Sequence, residues 1–353
     1  EWPVVLALAL PCAWTLLPGF VPVVRSHVFT YLFFAVTLWC LPRWPWVVPV
    51  MMVPWVNMHG GFAVGLVALA VHLLPVAQRK PVGWALAAAL GATLINPYGL
   101  RFWTYLVPAW LHRRADIPEW GRMPLEITGP YGGFWVLAAL VAVVLVAGWR
   151  KAPARDPVGL VMLAVTAVGA FWHRRHAPFF AIAALTYAGP WLQVAWGRLR
   201  LGWVAGAYAV VTAMVLGWLG PVATWEPVAP PTFYPVQAVD YLERVGARGN
   251  IAVPFRWGSY VSWRLYPKMR VSMDGRYETV FPESTFEMNR DFFYRNGPEW
   301  DRLVRRYRVD YVLVERRAAR VTPLDLIERG FVQVWEDETA TVWARSPTLP
   351  PGS

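Results

Sequence analysis

From residue 2 to residue 221 the chain strings together long apolar runs with short polar breaks, and beyond 236 it switches to short alternating segments. Nine apolar runs can be drawn, at about 2–24, 27–41, 44–57, 60–77, 82–97, 132–149, 157–171, 177–197 and 201–221, and each predicts a membrane-crossing helix. The runs at 44–57 and 157–171 are shorter than the ~20 residues of a straight crossing, which predicts tilted, broken or re-entrant segments there. The pattern therefore predicts an α-helical polytopic membrane domain of about nine spans over residues 1–221.

Prolines 221, 227, 230, 231 and 235 make residues 222–235 an extended linker, because runs of proline stop helices and favour polyproline geometry. Residues 236–353 then read as a small soluble α/β domain placed outside the cytoplasm. Its expected elements are an amphipathic helix at 236–246, a strand Ile251–Val253, a helix Gly258–Leu265, a strand at Val271 and a turn at Asp274-Gly275-Arg276. Helices near 283–295 and 298–308, a buried strand over 310–315, and a hairpin of 331–336 with 339–345 complete it.

The acidic residues sharpen this division. Only Glu1, Asp116, Glu119, Glu126 and Asp156 precede residue 222, and the other seventeen of twenty-two follow it. A long segment that avoids carboxylates while running through Ala, Val, Leu and Trp suits hydrocarbon. The net charge of +11 belongs almost wholly to the first part, with fifteen basic against five acidic residues there. It reports topology and lipid contact rather than nucleic-acid binding. Short loops hold eight basic residues on one side (Arg43, Arg79, Lys80, Arg150, Lys151, Arg155, Arg198, Arg200) and three on the other (Arg25, Arg174, Arg175), which predicts an extracytoplasmic C-terminal domain. Cys12 and Cys40 lie in apolar runs and indicate neither a disulfide framework nor a thiolate metal site. The start at Glu1, directly into an apolar run, is expected of a piece of a longer protein.

On this topology five polar motifs fall on the outer face: Arg25-Ser26-His27, Asn57-Met58-His59-Gly60-Gly61, Asn96-Pro97-Tyr98-Gly99-Leu100-Arg101, Asp116-Ile117-Pro118-Glu119-Trp120 and His173-Arg174-Arg175-His176. Each alone can be a span-end anchor or a helix stop. Together they predict one polar cleft at the outer membrane surface. The C-terminal domain has no histidine or cysteine, no nucleotide-binding glycine loop and no Ser-His-Asp order. Its one dense polar stretch is Met273-Asp274-Gly275-Arg276-Tyr277-Glu278, where Asp-Gly is first of all a turn signal.

The strings Trp55-Val56-Asn57-Met58-His59-Gly60-Gly61, Asn96-Pro97-Tyr98-Gly99 and Ile117-Pro118-Glu119-Trp120, with Trp257-Gly258-Ser259-Tyr260, Asp274-Gly275-Arg276 and Asp310-Tyr311-Val312, resemble a group of bacterial polytopic membrane proteins. That group looks like part of the GT-C glycosyltransferase superfamily, related in architecture to protein mannosyltransferases and to aminoarabinose transferases of lipid A. The resemblance implies a bacterial inner-membrane enzyme that takes a sugar from a polyprenyl-phosphate donor at the outer face, beneath a soluble C-terminal domain. It also implies an earlier pair of spans and a first outer loop with an acidic residue, a region that this sequence lacks.

Such a transfer needs a carboxylate to deprotonate the acceptor and cations to hold the departing phosphate. Asp116 and Glu119, three apart, are the candidate catalytic acids. Arg25, Arg101, Arg174 and Arg175 are the candidate donor-phosphate ligands, with the planar fork that suits phosphate. His27, Asn57, His59, Asn96, Tyr98, His173 and His176 are expected to line the cleft. No cofactor is expected, and a metal is disfavoured because only His173 and His176 have ligand-like spacing. The expected partners are the bilayer, the polyprenyl-phosphate sugar and an acceptor lipid, glycan or protein, with no nucleic acid. The alternative is a non-catalytic membrane scaffold whose C-terminal domain binds another protein. A transporter is disfavoured by the near absence of charge within the apolar runs.

Overall fold

The computed structural model describes residues 12–13, 15–16, 26–111, 118–127, 131–149, 156–196, 233–277 and 280–346, with 202, 206, 209, 210 and 213 besides. The chain divides into two compact units, 1–222 and 223–353. The prolines from 221 to 231 lie outside the described residues.

In the first unit the apolar runs fold into helices, named here α1 (His27–Cys40), α2 (Val47–Met58), α3 (Ala63–Val71), α4 (Arg79–Ala92), α5 (Arg101–Leu111), α6 (Gly132–Trp149), α7 (Pro157–Trp172), α8 (Ala177–Tyr187) and α9 (Gly189–Trp196). These do not make a nine-span membrane domain. Among the described residues only α6 is long and apolar enough to cross a bilayer, and a second crossing is reached only if Gly60–Val71 and Val76–Ala92, bent 117° to each other, are taken as one. At ~1.5 Å per residue most of the other helices rise well under the ~30 Å of a hydrocarbon core. The expected runs at 2–24 and 201–221 lie largely outside the described residues.

Apolar runs overcount crossings because an apolar run need not be one continuous helix. Gly60 and Gly61 form a 3-10 turn in which the His59 side chain accepts the Gly61 N–H, closing α2. Asp156 restarts the chain at α7, its carboxylate accepting the Val158 N–H ahead of Pro157. The charge count that oriented the C-terminal domain needed nine crossings and loses its footing with them.

What the helices share is an apolar outside. Val50 is 71% exposed, Trp84 68% and Val146 76%, and Trp39, Trp44 and Trp46 are also exposed. A buried core runs beneath, through Phe34, Met52, Trp55, Phe62, Leu137, Phe180 and Ala184. Because α1 and α2 are neighbours joined by a short turn, His27 and His59 lie at one end of the pair, and Trp39, Arg43, Trp44 and Trp46 at the other. Gln78 donates to the Pro42 carbonyl at 3.4 Å, which brings the turn before α4 to that second end.

The second unit is a five-stranded sheet between helices. Its elements are α10 (Val236–Arg244), β1 (Gly249–Ala252), α11 (Phe255–Leu265), β2 (Met269–Val271), α12 (Glu283–Tyr294), α13 (Arg302–Arg306), β3 (Tyr311–Glu315), α14 (Pro323–Ile327), β4 (Phe331–Glu336) and β5 (Ala340–Arg345). The strand order is β2-β1-β3-β5-β4, with β1 parallel to β2 and β3, and β5 antiparallel to β3 and β4. The fully buried β3 explains the layers: Tyr311 and Leu313 pack with Val239, Leu242, Trp257 and Val261 on one face, while Val312 and Val314 pack with Met288, Phe292 and Leu303 on the other. The expected hairpin is present, its turn held by the Asp337 carboxylate accepting the N–H groups of Thr339 (2.7 Å) and Ala340 (2.8 Å). The second of the two helices expected near 283–308 is shorter than predicted, Arg302–Arg306. Helix α14 was not foreseen, although Thr322 and Asp325 form a reciprocal capping box.

Candidate functional site

The first unit gathers four histidines and two arginines from three separate segments. His27 opens α1, His59 closes α2, and the 3-10 turn Arg174–His176, led by His173, joins α7 to α8. An unbroken series of ring contacts connects them. Trp120 meets His173 (centroids 5.6 Å), His173 meets His176 (5.7 Å), and His176 meets Phe179 (5.8 Å). Phe179 then meets Tyr31 (5.5 Å), Tyr31 meets His27 (5.3 Å), and His27 meets His59 (6.4 Å). Helical spacing explains the links: Tyr31 stands four residues after His27 and Phe179 three after His176, so each pair shares a helix face.

The loop before α6 closes this cluster on one side. The His173 Nδ1–H donates to the Trp120 carbonyl at 2.7 Å, and the Arg174 N–H donates to the Gly121 carbonyl at 3.1 Å. The Arg175 guanidinium lies 4.2 Å over the Trp120 ring and 3.9 Å from the Glu119 carboxylate. That of Arg174 lies 5.1 Å over the Tyr131 ring. Both cations are thus spread on aromatic faces, which fixes their planes.

His59 has the best-defined protonation. Its Nδ1 accepts the Gly61 N–H (3.1 Å) and stands 2.8 Å from Thr30 Oγ1, which itself accepts Trp55 Nε1–H at 2.8 Å. With Nδ1 occupied as an acceptor, the proton of the neutral ring sits on Nε2. Burial pushes the imidazole down to about 4, and the Arg175 guanidinium and His27 push the same way. His176 is also pushed down to about 4, by burial first and then by Arg175 and His173. At neutral pH both are uncharged, while Arg174 and Arg175 keep their positive charge.

The other candidates divide. Asp116 and Arg25 lie outside the described residues, as does His112. Asn57 joins two helix ends, donating from Nδ2 to the carbonyls of Val53 (2.7 Å) and Ile95 (2.8 Å). Asn96 closes its own turn, its Oδ1 accepting the Tyr98 N–H at 2.8 Å while Gly99 takes φ +53°. Tyr98 and Arg101 are exposed on that turn and at the start of α5. Their neighbour is the Gly60–Phe62 turn, through ring contacts of Phe62 with Phe102, Trp103 and Trp110, and Asn57 and Asn96 have local structural work. Sequence reading missed Thr30, Tyr31, Tyr131 and Phe179, of which only the spacing from His27 and His176 was visible.

The motif strings of the second unit pack on one another. Gly258 lies against the Met273 backbone, and Ser259 Oγ accepts the Gly275 N–H at 2.9 Å. Arg276 pairs with the buried Asp274. Burial pushes that carboxyl up, but hydrogen bonds from Arg276 outweigh it and leave the group below its ordinary range. This is a turn held to a helix, the structural role that Asp-Gly suggested.

Among the described residues no three His, Cys, Asp or Glu side chains are grouped as a metal site. Comparison with protein-family models and with curated proteins gave no match to this chain.

Proposed function

We propose that this chain belongs to a membrane-bound transferase that takes a sugar from a polyprenyl-phosphate donor, with the histidine–arginine cluster holding the donor phosphate. The observation that carries the reading is the Arg175 guanidinium, beside the Glu119 carboxylate and close enough to His59 and His176 to add to the burial that holds both rings neutral, with Arg174 next to it in the chain on the Tyr131 ring. Two fixed guanidiniums suit a phosphate, and neutral imidazoles add N–H donors without extra charge. The exposed Val50, Trp84 and Val146 supply an apolar surface that suits lipid and the polyprenyl chain. The resemblance of the Trp55–Gly61, Asn96–Gly99 and Ile117–Trp120 strings to GT-C proteins supports sugar transfer at the outer face of a bacterial inner membrane as the reading.

In this reading the acceptor hydroxyl oxygen forms a bond to the anomeric carbon as the bond from that carbon to the phosphate oxygen breaks. The hydroxyl proton passes to the Glu119 carboxylate, and the leaving polyprenyl phosphate takes the bonding electrons. Arg174 and Arg175 balance the charge that appears on it.

The test is a transfer assay with the full-length protein in lipid and a polyprenyl-phosphate sugar. Arg174→Ala and Arg175→Ala are expected to raise the apparent donor Michaelis constant roughly ten- to a hundred-fold, from about 1.5–3 kcal/mol per lost charge-assisted bond. Glu119→Gln is expected to lower kcat by about 10²–10⁴ with little change in donor binding. Wild-type donor affinity in both arginine variants and in their combination sinks the assignment.

A further inference from the structure

The second unit holds a cavity of about 320 Å³ on the sheet face covered by α12 and α13. That is the lower end of the ~300–1,000 Å³ of small-molecule sites, enough for a ligand of sugar size. Its lining includes Arg270 and Arg308 and no carboxylate, with Asp310, not itself a lining residue, paired to Arg308.

Arg270 stands on the edge strand β2 in register with Asn250 of β1, so both side chains leave the same face of the sheet. Arg308 is braced beside them: its Nε–H donates to Asp310 Oδ1 at 3.1 Å, and Asn250 Nδ2 donates to the Arg308 carbonyl at 2.8 Å. The rest of the Arg308 side chain is in solvent, 81% exposed. Thr285 lines the cavity at 8% exposure, and its hydroxyl makes no hydrogen bond among the described residues. The hydroxyl is open to the cavity rather than sealed in the core, so it can bond a ligand there. Phe281 and Tyr307 add flat ring surface to the walls.

We propose that this cavity binds an anionic hexose, its phosphate or carboxylate held by Arg270 and Arg308, a ring hydroxyl bonded to Thr285 and an apolar ring face against Phe281 and Tyr307. The site lies in a different unit from the histidine–arginine cluster, so the two assignments stand or fall separately.

The experiment is calorimetric titration of the full chain in detergent with glucose 6-phosphate, glucuronate and glucose. At least one of the two anionic sugars is expected to bind saturably at millimolar concentration, and glucose at least roughly ten-fold more weakly, in keeping with charge-assisted bonds. Which anion binds more tightly separates a phosphate site from a carboxylate site. Arg270→Gln, at an exposed position, and the near-isosteric Thr285→Val are each expected to weaken that binding about ten-fold with an unchanged melting temperature. Arg308→Gln, which also gives up its pairing with the buried Asp310, is expected to weaken it about ten-fold with some loss of stability. Saturable binding of neither anion, equal binding of glucose, or wild-type affinity in all three variants overturns the proposal.

Discussion

The Arg175 guanidinium rests 4.2 Å over the Trp120 ring, so the cation proposed for the donor phosphate is placed by an aromatic side chain of another segment. A cation–π contact of this kind contributes about 0.5–2 kcal/mol. Trp120→Leu keeps the charge and releases its plane. It is expected to weaken polyprenyl-phosphate binding by roughly three- to thirty-fold, read as the dissociation constant in a detergent titration. An unchanged constant in a folded Trp120→Leu protein removes Trp120 from the site.

The neutral state of His59 and His176 ties stability to pH. Both are held down to about 4, against ~6.5 in an unfolded chain. Between those values the unfolded chain binds protons that the folded one refuses, so stability is complete above about 6.5 and falls as pH drops toward about 4. At ~1.4 kcal/mol per pKa unit the loss is of the order of a few kcal/mol. Melting temperature measured across this window should decline, and His59→Gln together with His176→Gln should flatten the decline. An equally steep decline in the double variant contradicts the burial of neutral rings.

Thr30 relays a hydrogen bond from the fully buried Trp55 to His59. Thr30→Val preserves shape but leaves the indole N–H unpaired, a cost of about 1–3 kcal/mol. Thermal unfolding should show this loss, and Thr30→Ser should recover most of it. A Thr30→Val protein as stable as wild type argues against the relay.

Gly258 is fixed by contact rather than by backbone angle. A Cβ there would meet the Met273 carbonyl oxygen at 1.9 Å, so backbone must move to admit it. Gly258→Ala is expected to cost about 1–3 kcal/mol. Chemical denaturation of wild type and variant measures it directly, and equal midpoints refute the close packing of α11 on the 273–276 turn.

The apolar exterior of the first unit predicts lipid contact. A bimane label on Trp84→Cys, with Cys12 and Cys40 replaced by alanine, should be quenched by brominated lipids. A label on Glu243→Cys, at an exposed position of α10, should not. Equal quenching at both positions, or at neither, removes the membrane part of the proposal.

Composition and spacing determined a good deal by themselves. The contrast between carboxylate-poor and carboxylate-rich stretches is visible residue by residue, and its break falls where the two compact units divide. For the same reason the β3 run Tyr311–Glu315 and the Asp337 turn were legible: a buried strand and a tight turn are local in sequence. The clustering of His27, His59, His173 and His176 was suggested, but through a nine-span count that the fold does not keep.

Tertiary structure decided the rest. Where an apolar run bends depends on what its ends can bond to, as the His59 cap on Gly61 and the 117° break between Gly60–Val71 and Val76–Ala92 make plain. That Asn57 and Asn96 secure helix ends and turns, while Arg175 lies on Trp120, was likewise beyond sequence. Identical residue types serve a turn or a site according to their neighbours, and those neighbours come from distant parts of the chain.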